Sequence, residues 1–217
     1  MTVPQVTTSF HPLENVAGVR AAFVPRIPGV DVETDRESAL ARLTQPHADF
    51  LAARGFSAAD LATAEQVHGA GVVAVTAPGR QPQVDGLVTN TRGLALGIYA
   101  ADCAAVYLAD RRGRAVGLVH SGRAGTAANI TGCAIGLLSE LYGVVAADLV
   151  VEVSPCIRPP LYENNFAAEI AAQARAAGAG EVRDRGICTG RELGQYYSYR
   201  VERGRTGRML AVLALES

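Results

Sequence analysis

Between residues 72 and 120 the chain runs through five short apolar stretches, at 72–75, 86–89, 95–99, 104–108 and 116–120, broken by glycine, proline or charged residues. Apolar runs of four or five residues closed by turn formers read as strands, since a helix needs a longer and differently spaced pattern. Strands that follow one another directly do not suit the regular strand–helix alternation of a doubly wound sheet, and favour an α+β fold.

The helices come from elsewhere in the chain. Over 36–54, Ala39, Leu40, Leu43 and Ala48 recur at helical spacing, and over 125–142 Ile130, Ala134, Leu137, Leu138 and Leu141 do the same, with Gly143 as the stop. A third, alanine-rich helix is predicted over 166–177, ending at Gly178, and further strands over 19–24, 149–153 and 209–215. With 217 residues, 49% of them hydrophobic, and with no internal repeat, low-complexity tract or long linker, one domain accounts for the chain.

Charge narrows the partners. A formal net charge of -1 provides no overall field for nucleic acid or for an anionic membrane, so the expectation is a small-molecule partner held by a local site. All 20 basic residues are arginine, which removes a lysine Schiff base and a P-loop lysine from consideration and leaves arginine alone to grip phosphate. The arginine-rich end (Arg200, Arg203, Arg205, Arg208) reads as a solvated face, with motif support only at Arg200. The apolar stretch 93–109 contains Asp102 and is too short to cross a bilayer, and the start MTVPQVTTSFHPLENVAG lacks the apolar core of an export signal, so the expected location is the cytoplasm. Cys103, Cys133, Cys156 and Cys188 are then expected as reduced thiols.

Three segments carry candidate chemistry: Gln66-Val67-His68-Gly69, Ala101-Asp102-Cys103, and Val119-His120-Ser121-Gly122 leading to Gly125-Thr126. Each sets a potential metal donor at the edge of an apolar run. Imidazole and thiolate are the preferred zinc donors, and three protein ligands with an open fourth position describe a catalytic site. Spacing alone leaves the alternative open, because single histidines and cysteines in strands are usually core residues. His11 and His47 read as surface residues, and Cys133 as a core residue beside Ile130 and Leu137. On a strand, Asp102 would point away from Cys103, toward an arginine partner or a cap. Asp85, just before a strand, suits either the orientation of a ligand histidine, acid–base work or simple turn formation.

The ordered set QVHG, DGLVT, ADC, VHSGxxGT, PCI, YE, CT, SYR and TGRM, spanning about residues 23–215, resembles the laccase-domain family. Its bacterial members go by the names polyphenol oxidase and purine nucleoside phosphorylase of the YfiH type. The resemblance implies one domain over 1–217, with mixed β-sheets packed as a sandwich and flanked by helices. It implies one zinc on His68, Cys103 and His120, with Arg26 and Arg200 as substrate contacts; Asp85, Cys103 and His120 are the expected catalytic residues, and Arg123, where the family has tryptophan, is the expected stand-in for the displaced arginine as an anion contact. The implied reactions are phosphorolysis of adenosine, inosine, guanosine or methylthioadenosine, and deamination of adenosine, so purine nucleosides and phosphate are the expected partners of a monomer or weak homodimer. The laccase name implies copper and phenol oxidation instead. A lone His2Cys set supplies one redox ion, whereas zinc suits transfer and hydrolysis, which favours the nucleoside reading.

Two motifs depart from the family pattern. The family's H-A-G-W-R-G-T is here His120-Ser121-Gly122-Arg123-Ala124-Gly125-Thr126, and its G-P-C-I-G is Ser154-Pro155-Cys156-Ile157-Arg158. The loss of the aromatic and the displacement of the arginine by one position predict weakened phosphorolysis, and side chains at Ser154 and Arg158 where the family has glycine predict a narrower pocket. Two rival readings follow: a metal-free cysteine hydrolase using Cys103 with a histidine, and a metal-binding module without catalysis.

Overall fold

The computed structural model of the protein describes residues 10–216; the first nine residues, part of the stretch read above for an export signal, lie outside them. The two apolar faces of a strand must each meet a partner, and this chain answers with two stacked sheets and helices on both outer sides.

One sheet joins β1 (Val19–Val24), β2 (Leu61–Ala64), β4 (Gly79–Gln81), β6 (Ala95–Ala100) and β11 (Met209–Leu215) in the order β1-β11-β6-β2-β4. The other joins β3 (Val72–Ala74), β5 (Gly86–Thr89), β7 (Ala104–Asp110), β8 (Val116–Ser121), β9 (Leu149–Val153) and β10 (Glu181–Asp184) in the order β10-β9-β7-β8-β5-β3. Both mix parallel and antiparallel pairs. The fold is α+β, as the strand grouping predicts.

Period-two alternation assigns the layers. Ala105, Tyr107 and Ala109 of β7, Leu118 of β8, Leu96 and Ile98 of β6 and Ala211 and Leu213 of β11 fill the space between the sheets. The intervening Val106 and Leu108 pack with Ile130, Ala134 and Leu138 of α3 (Ile130–Tyr142) and with Ile170 of α4 (Phe166–Ala176). On the far side, Ala95, Leu210 and Val212 meet Leu51 of α1 (Arg36–Ala52). No helix among the described residues is long and apolar enough to cross a membrane.

Helix boundaries follow local chemistry. Asp35 caps α1 by accepting a hydrogen bond from the Ser38 amide at 3.0 Å. The helix expected over 125–142 is two: α2 (Arg123–Ala127) ends, and Asn129, at φ 55°, turns the chain left-handed and caps α3 through its side chain. The buried face of α3 is Ile130, Thr131, Ala134, Ile135 and Leu138, so Cys133 is exposed rather than in the core, and Leu141 is 48% exposed. His47 is a second correction: it is 3% exposed, in line with Ala39, Leu43 and Leu51 on the buried face of α1, and its ring stacks on Tyr99. Three short strands, β2, β4 and β10, escape the pattern reading, since β4 (GRQ) and β10 (EVRD) are polar edge segments held by backbone pairing.

Candidate metal centre

In the antiparallel ladder of β7 and β8, Ala104 faces Ser121 and Ala105 faces His120. Cys103 thus enters β7 beside the point where His120 leaves β8 for the tight turn at Gly122. A Cβ at Gly122 would sit 2.5 Å from Cys103 Sγ, so only glycine lets the thiol lie against this turn. A Cβ on Gly125 would likewise meet the Gly69 carbonyl at 2.9 Å, so that glycine admits the His68 turn against α2.

The third donor comes from a turn with unusual backbone. Gln66 (φ 46°) and His68 (φ 62°) are both left-handed, a conformation costly for such residues unless the surroundings enforce it. Asp85 enforces it: its carboxylate accepts from the amides of Val67 (3.0 Å), His68 (2.9 Å) and Gly69 (2.7 Å). Gln66 adds a two-way clamp, donating to the Tyr99 carbonyl at 2.6 Å and accepting from the Tyr99 amide at 3.0 Å. Asp102 (φ 82°) is held the same way, accepting from Thr189 Oγ1 and from the Arg200 amide, each at 2.7 Å.

The result is a convergence of His68, Cys103 and His120 with donor atoms all within 4.8 Å of one another, an outer limit wider than the roughly 3 to 4 Å a shared ion would impose. The two imidazoles meet edge to face, with centroids 4.9 Å apart. His120 Nδ1 lies 2.8 Å from Asp85 Oδ1, so the carboxylate fixes the ring and leaves Nε2 as the donor. Burial, the largest influence, pushes the Cys103 thiol up, but the imidazoles of His120 and His68 outweigh it and hold the thiol well below its ordinary value. Burial likewise pushes His120 down, and Asp85 and Cys103 together hold it well above. A thiolate between two imidazoles, with a carboxylate behind one of them, is a donor set suited to zinc.

The centre opens into a cavity of about 1020 Å³. Arg123 and Arg200 line it, as do Tyr162, Phe166 and Tyr199, which offer aromatic faces. Three expectations need correction. Arg26 is absent from the lining: it donates to Glu202 at 2.7 Å and lies 4.4 Å over the Tyr197 ring, so its charge is already engaged. Asp85 is fully buried and also off the cavity wall, so it orients donors rather than meeting a substrate. Asp102 precedes β7 in a left-handed bend and does line the cavity, because strand alternation does not apply there.

The sequence reading missed Arg36, Arg203 and Arg208, which also line the cavity. Arg208 falls within the TGRM stretch and reaches the cavity, whereas the Arg205 guanidinium donates to the Glu33 carbonyl.

Known proteins resemble this chain in family pattern, in sequence and in fold. A family model described as multi-copper polyphenol oxidoreductase laccase matches residues 28–179 and 164–216. The chain is 34% identical over 207 residues to the purine nucleoside phosphorylase of Deinococcus radiodurans, covering 83% of this chain and 80% of that protein. It is also 34% identical over 180 residues to a purine nucleoside phosphorylase of Streptomyces coelicolor, covering 70% and 73%. Among solved structures, YlmD of Geobacillus stearothermophilus superposes with a TM-score of 0.80 at 26% identity, covering 93% of each chain. The YfiH protein of Bacillus licheniformis shares the fold with a TM-score of 0.75 at 22% identity, over 94% of this chain and 95% of that one.

Proposed function

This chain belongs to the multi-copper polyphenol oxidoreductase laccase family, and from that premise we propose that it is a zinc-dependent purine nucleoside phosphorylase that also deaminates adenosine. The observation that carries this reading is the meeting of His68, Cys103 and His120 on the wall of one cavity with Arg123, Arg200 and aromatic rings. The names of its relatives point the same way.

The family's laccase description does not suit this donor inventory. Multi-copper oxidation needs several metal centres, and the chain has four histidines, of which His11 is exposed and His47 is packed on Tyr99. An electron-transfer copper site adds a weak axial methionine or glutamine; among the described residues no methionine lines the cavity, and the Gln66 amide is taken by the Tyr99 backbone. Zinc on the three donors would supply Lewis-acid polarisation of a substrate oxygen or of water.

The chain's own residues supply binding and orientation. A flat purine fits against the edge-to-face pair Tyr162 and Phe166, whose centroids are 5.8 Å apart. Arg123 carries no ion pair among the described residues and is available to phosphate. Arg200 stands over Tyr162 and reaches Glu163 at 3.1 Å across the surface, a contact weak enough to yield to a dianion. In phosphorolysis the C1'–N9 bond breaks as a phosphate oxygen bonds to C1', the purine leaving with the electron pair and gaining a proton. In deamination water enters at C6 and ammonia leaves.

A second reading, a cysteine hydrolase, draws on the lowered Cys103 thiol beside two imidazoles. One experiment separates them: elemental analysis of the purified protein together with a nucleoside panel resolved by chromatography, with and without phosphate. The proposal expects about one zinc per chain, free purine and ribose 1-phosphate only when phosphate is present, and inosine from adenosine without it. Intact nucleosides with copper-dependent oxygen consumption on phenols, or full activity after removal of all metal, would overturn it.

A further inference from the structure

The cavity carries more positive charge than a neutral nucleoside and one phosphate require. Five arginines line it, Arg36, Arg123, Arg200, Arg203 and Arg208, against a single carboxylate, Asp102, whose two oxygens already accept from Thr189 and from the Arg200 amide. In a chain of net charge -1 this is a local concentration, not a reflection of overall composition.

The arginines come from two sides. Arg123 opens α2, against the second sheet, while Arg36 opens α1, on the outer face of the first, and Arg208 immediately precedes β11 of that same sheet. Among the described residues neither Arg36 nor Arg203 has a carboxylate partner. Arg208 is half-buried, with Nη1 donating to the carbonyls of Thr206 (3.1 Å) and Gly207 (2.9 Å). Burial first, and the charge of nearby Arg36 second, hold Arg208 below its ordinary value, while Tyr199, Cys103 and Asp102 act in the other direction.

The loop that carries Arg203 and Arg208 is built to keep its shape. Glu202 accepts from the Ser198 amide (2.8 Å), Thr206 Oγ1 (2.6 Å) and Arg26 (2.7 Å), and the next two residues, Arg203 (φ 54°) and Gly204 (φ 83°), are both left-handed. The start of α1 in the same corner carries the Asp35 cap and Glu37 in its first turn, so the helix end is already compensated and the positive charge facing the cavity is that of the arginines. At about 1020 Å³ the cavity stands at the top of the usual size for small-molecule sites, with room for more than a nucleoside and a phosphate ion.

We propose that Arg36, Arg203 and Arg208 form a second anion subsite that takes the 5'-phosphate of a purine nucleoside monophosphate, so that nucleotides are substrates of this chain and the preferred ones. The proposal rests on the nucleoside reading given above and names its substrate class. A phosphate monoester carries about -1.5 to -2 charges at neutral pH, which matches three guanidiniums that have no carboxylate partner among the described residues. With AMP, the C1'–N9 bond breaks as an oxygen of inorganic phosphate bonds to C1'. Adenine takes the electron pair and a proton, and ribose 1,5-bisphosphate is left with its 5'-ester untouched. Deamination of AMP adds water at C6 and releases ammonia and IMP.

The test compares AMP, adenosine and inorganic phosphate on the purified protein and on the double variant Arg36→Ala, Arg203→Ala, both exposed positions where folding is not at risk. Turnover is followed by chromatography and binding by calorimetric titration. The wild type should bind AMP about tenfold or more tightly than adenosine and use it with a correspondingly higher kcat/KM, and the double variant should lose that preference. Turnover of adenosine with no preference for AMP overturns the proposal. So does a variant whose only defect is a raised KM for inorganic phosphate, since the arginines would then hold the co-substrate. If neither nucleosides nor nucleotides are turned over, the nucleoside reading fails, and the titration alone decides: AMP binding no tighter than adenosine removes the subsite as well.

Discussion

The Asp85 carboxylate lies 2.8 Å from His120 Nδ1 and also accepts from the amides of Val67, His68 and Gly69, so one buried side chain sets two of the three candidate donors. Asp85→Ala removes four interactions at once and leaves three amides facing apolar space. Metal affinity should fall by about 10 to 100-fold, as for other groups behind a ligand histidine, and stability by about 2 to 4 kcal/mol. Asp85→Asn, which keeps the shape, should retain part of both. Chelator competition and urea titration measure the two losses, and an Asp85→Ala protein with unchanged metal affinity would show that the turn holds itself.

The two cysteines of the sequence reading part company in the structure, since Cys103 faces His68 and His120 while Cys133 is exposed on α3. Cys103→Ala should abolish metal binding and turnover together. Cys133→Ala should keep both and change stability by no more than about 0.5 kcal/mol, as for ordinary surface positions. Elemental analysis beside thermal unfolding checks the pair, and equal metal loss in both variants would contradict the assignment.

His47 gives the fold an acid-sensitive point away from the donors. Burial holds its pKa down at about 4 against an ordinary 6.5, and its Nε2 has no partner among the described residues. Because the folded value is depressed, the unfolded chain binds the extra proton first. Stability is therefore complete above about pH 6.5 and declines as pH falls to about 4, by about 3 kcal/mol from this group. His47→Leu should flatten that part of the stability–pH curve, read by urea unfolding at several pH values, whereas an unaltered slope would place the acid loss elsewhere.

What the sequence shows of this molecule follows from how local each signal is. β5, β9 and β11 are apolar runs bounded by turns, and their observed limits coincide with the expected ones because burial of both faces leaves a continuous signal; the limits of β1 coincide too, although it is an edge strand buried only over its second half. β10 does not, because Glu181, Arg183 and Asp184 are charged and only the ladder to β9 makes them a strand. His47 was legible as the i+4 partner of Leu43 and the i-4 partner of Leu51, a spacing outweighed by the polar neighbourhood and by Pro46. In the site, motifs bring out His68, Cys103 and His120, but nothing short of tertiary structure tells that Arg26 meets Glu202 while Arg36, distant in sequence, reaches the cavity.

Arg26 now has a different expected phenotype. It donates to Glu202 and to the Tyr196 carbonyl and stacks on Tyr197, anchoring the loop that bears Arg200, Arg203 and Arg208. Arg26→Ala should cost about 1 to 3 kcal/mol of stability through its lost charge-assisted hydrogen bonds. Arg200→Ala, at an exposed site, should cost at most about 0.5 kcal/mol and raise the KM for phosphate. If Arg26→Ala leaves stability intact and alters only phosphate kinetics, the ion pair is incidental.

The last prediction concerns the turn after His120, where Arg123 and Ala124 replace the Trp-Arg pair of the family pattern. Both residues lie in the first turn of α2, both are exposed, and both line the cavity. Successive residues on a helix point about 100° apart, so a guanidinium moved by one position approaches a bound phosphate from another direction. Misplacement of a clamp by an ångström or more can lower a rate by about 100-fold. The metal donors stand on other residues, and Gly122 and Gly125, which give Cys103 and the His68 turn their room, are untouched by a change at 123 and 124. The variant Arg123→Trp, Ala124→Arg should therefore raise phosphate-dependent cleavage of adenosine or inosine by tenfold or more, up to about 100-fold, at constant metal content. Steady-state kinetics with elemental analysis of both proteins measures this. A double variant that folds, keeps the wild-type metal content and gains nothing over a wild type already fast on phosphate would show that Arg123 reaches the anion from where it stands.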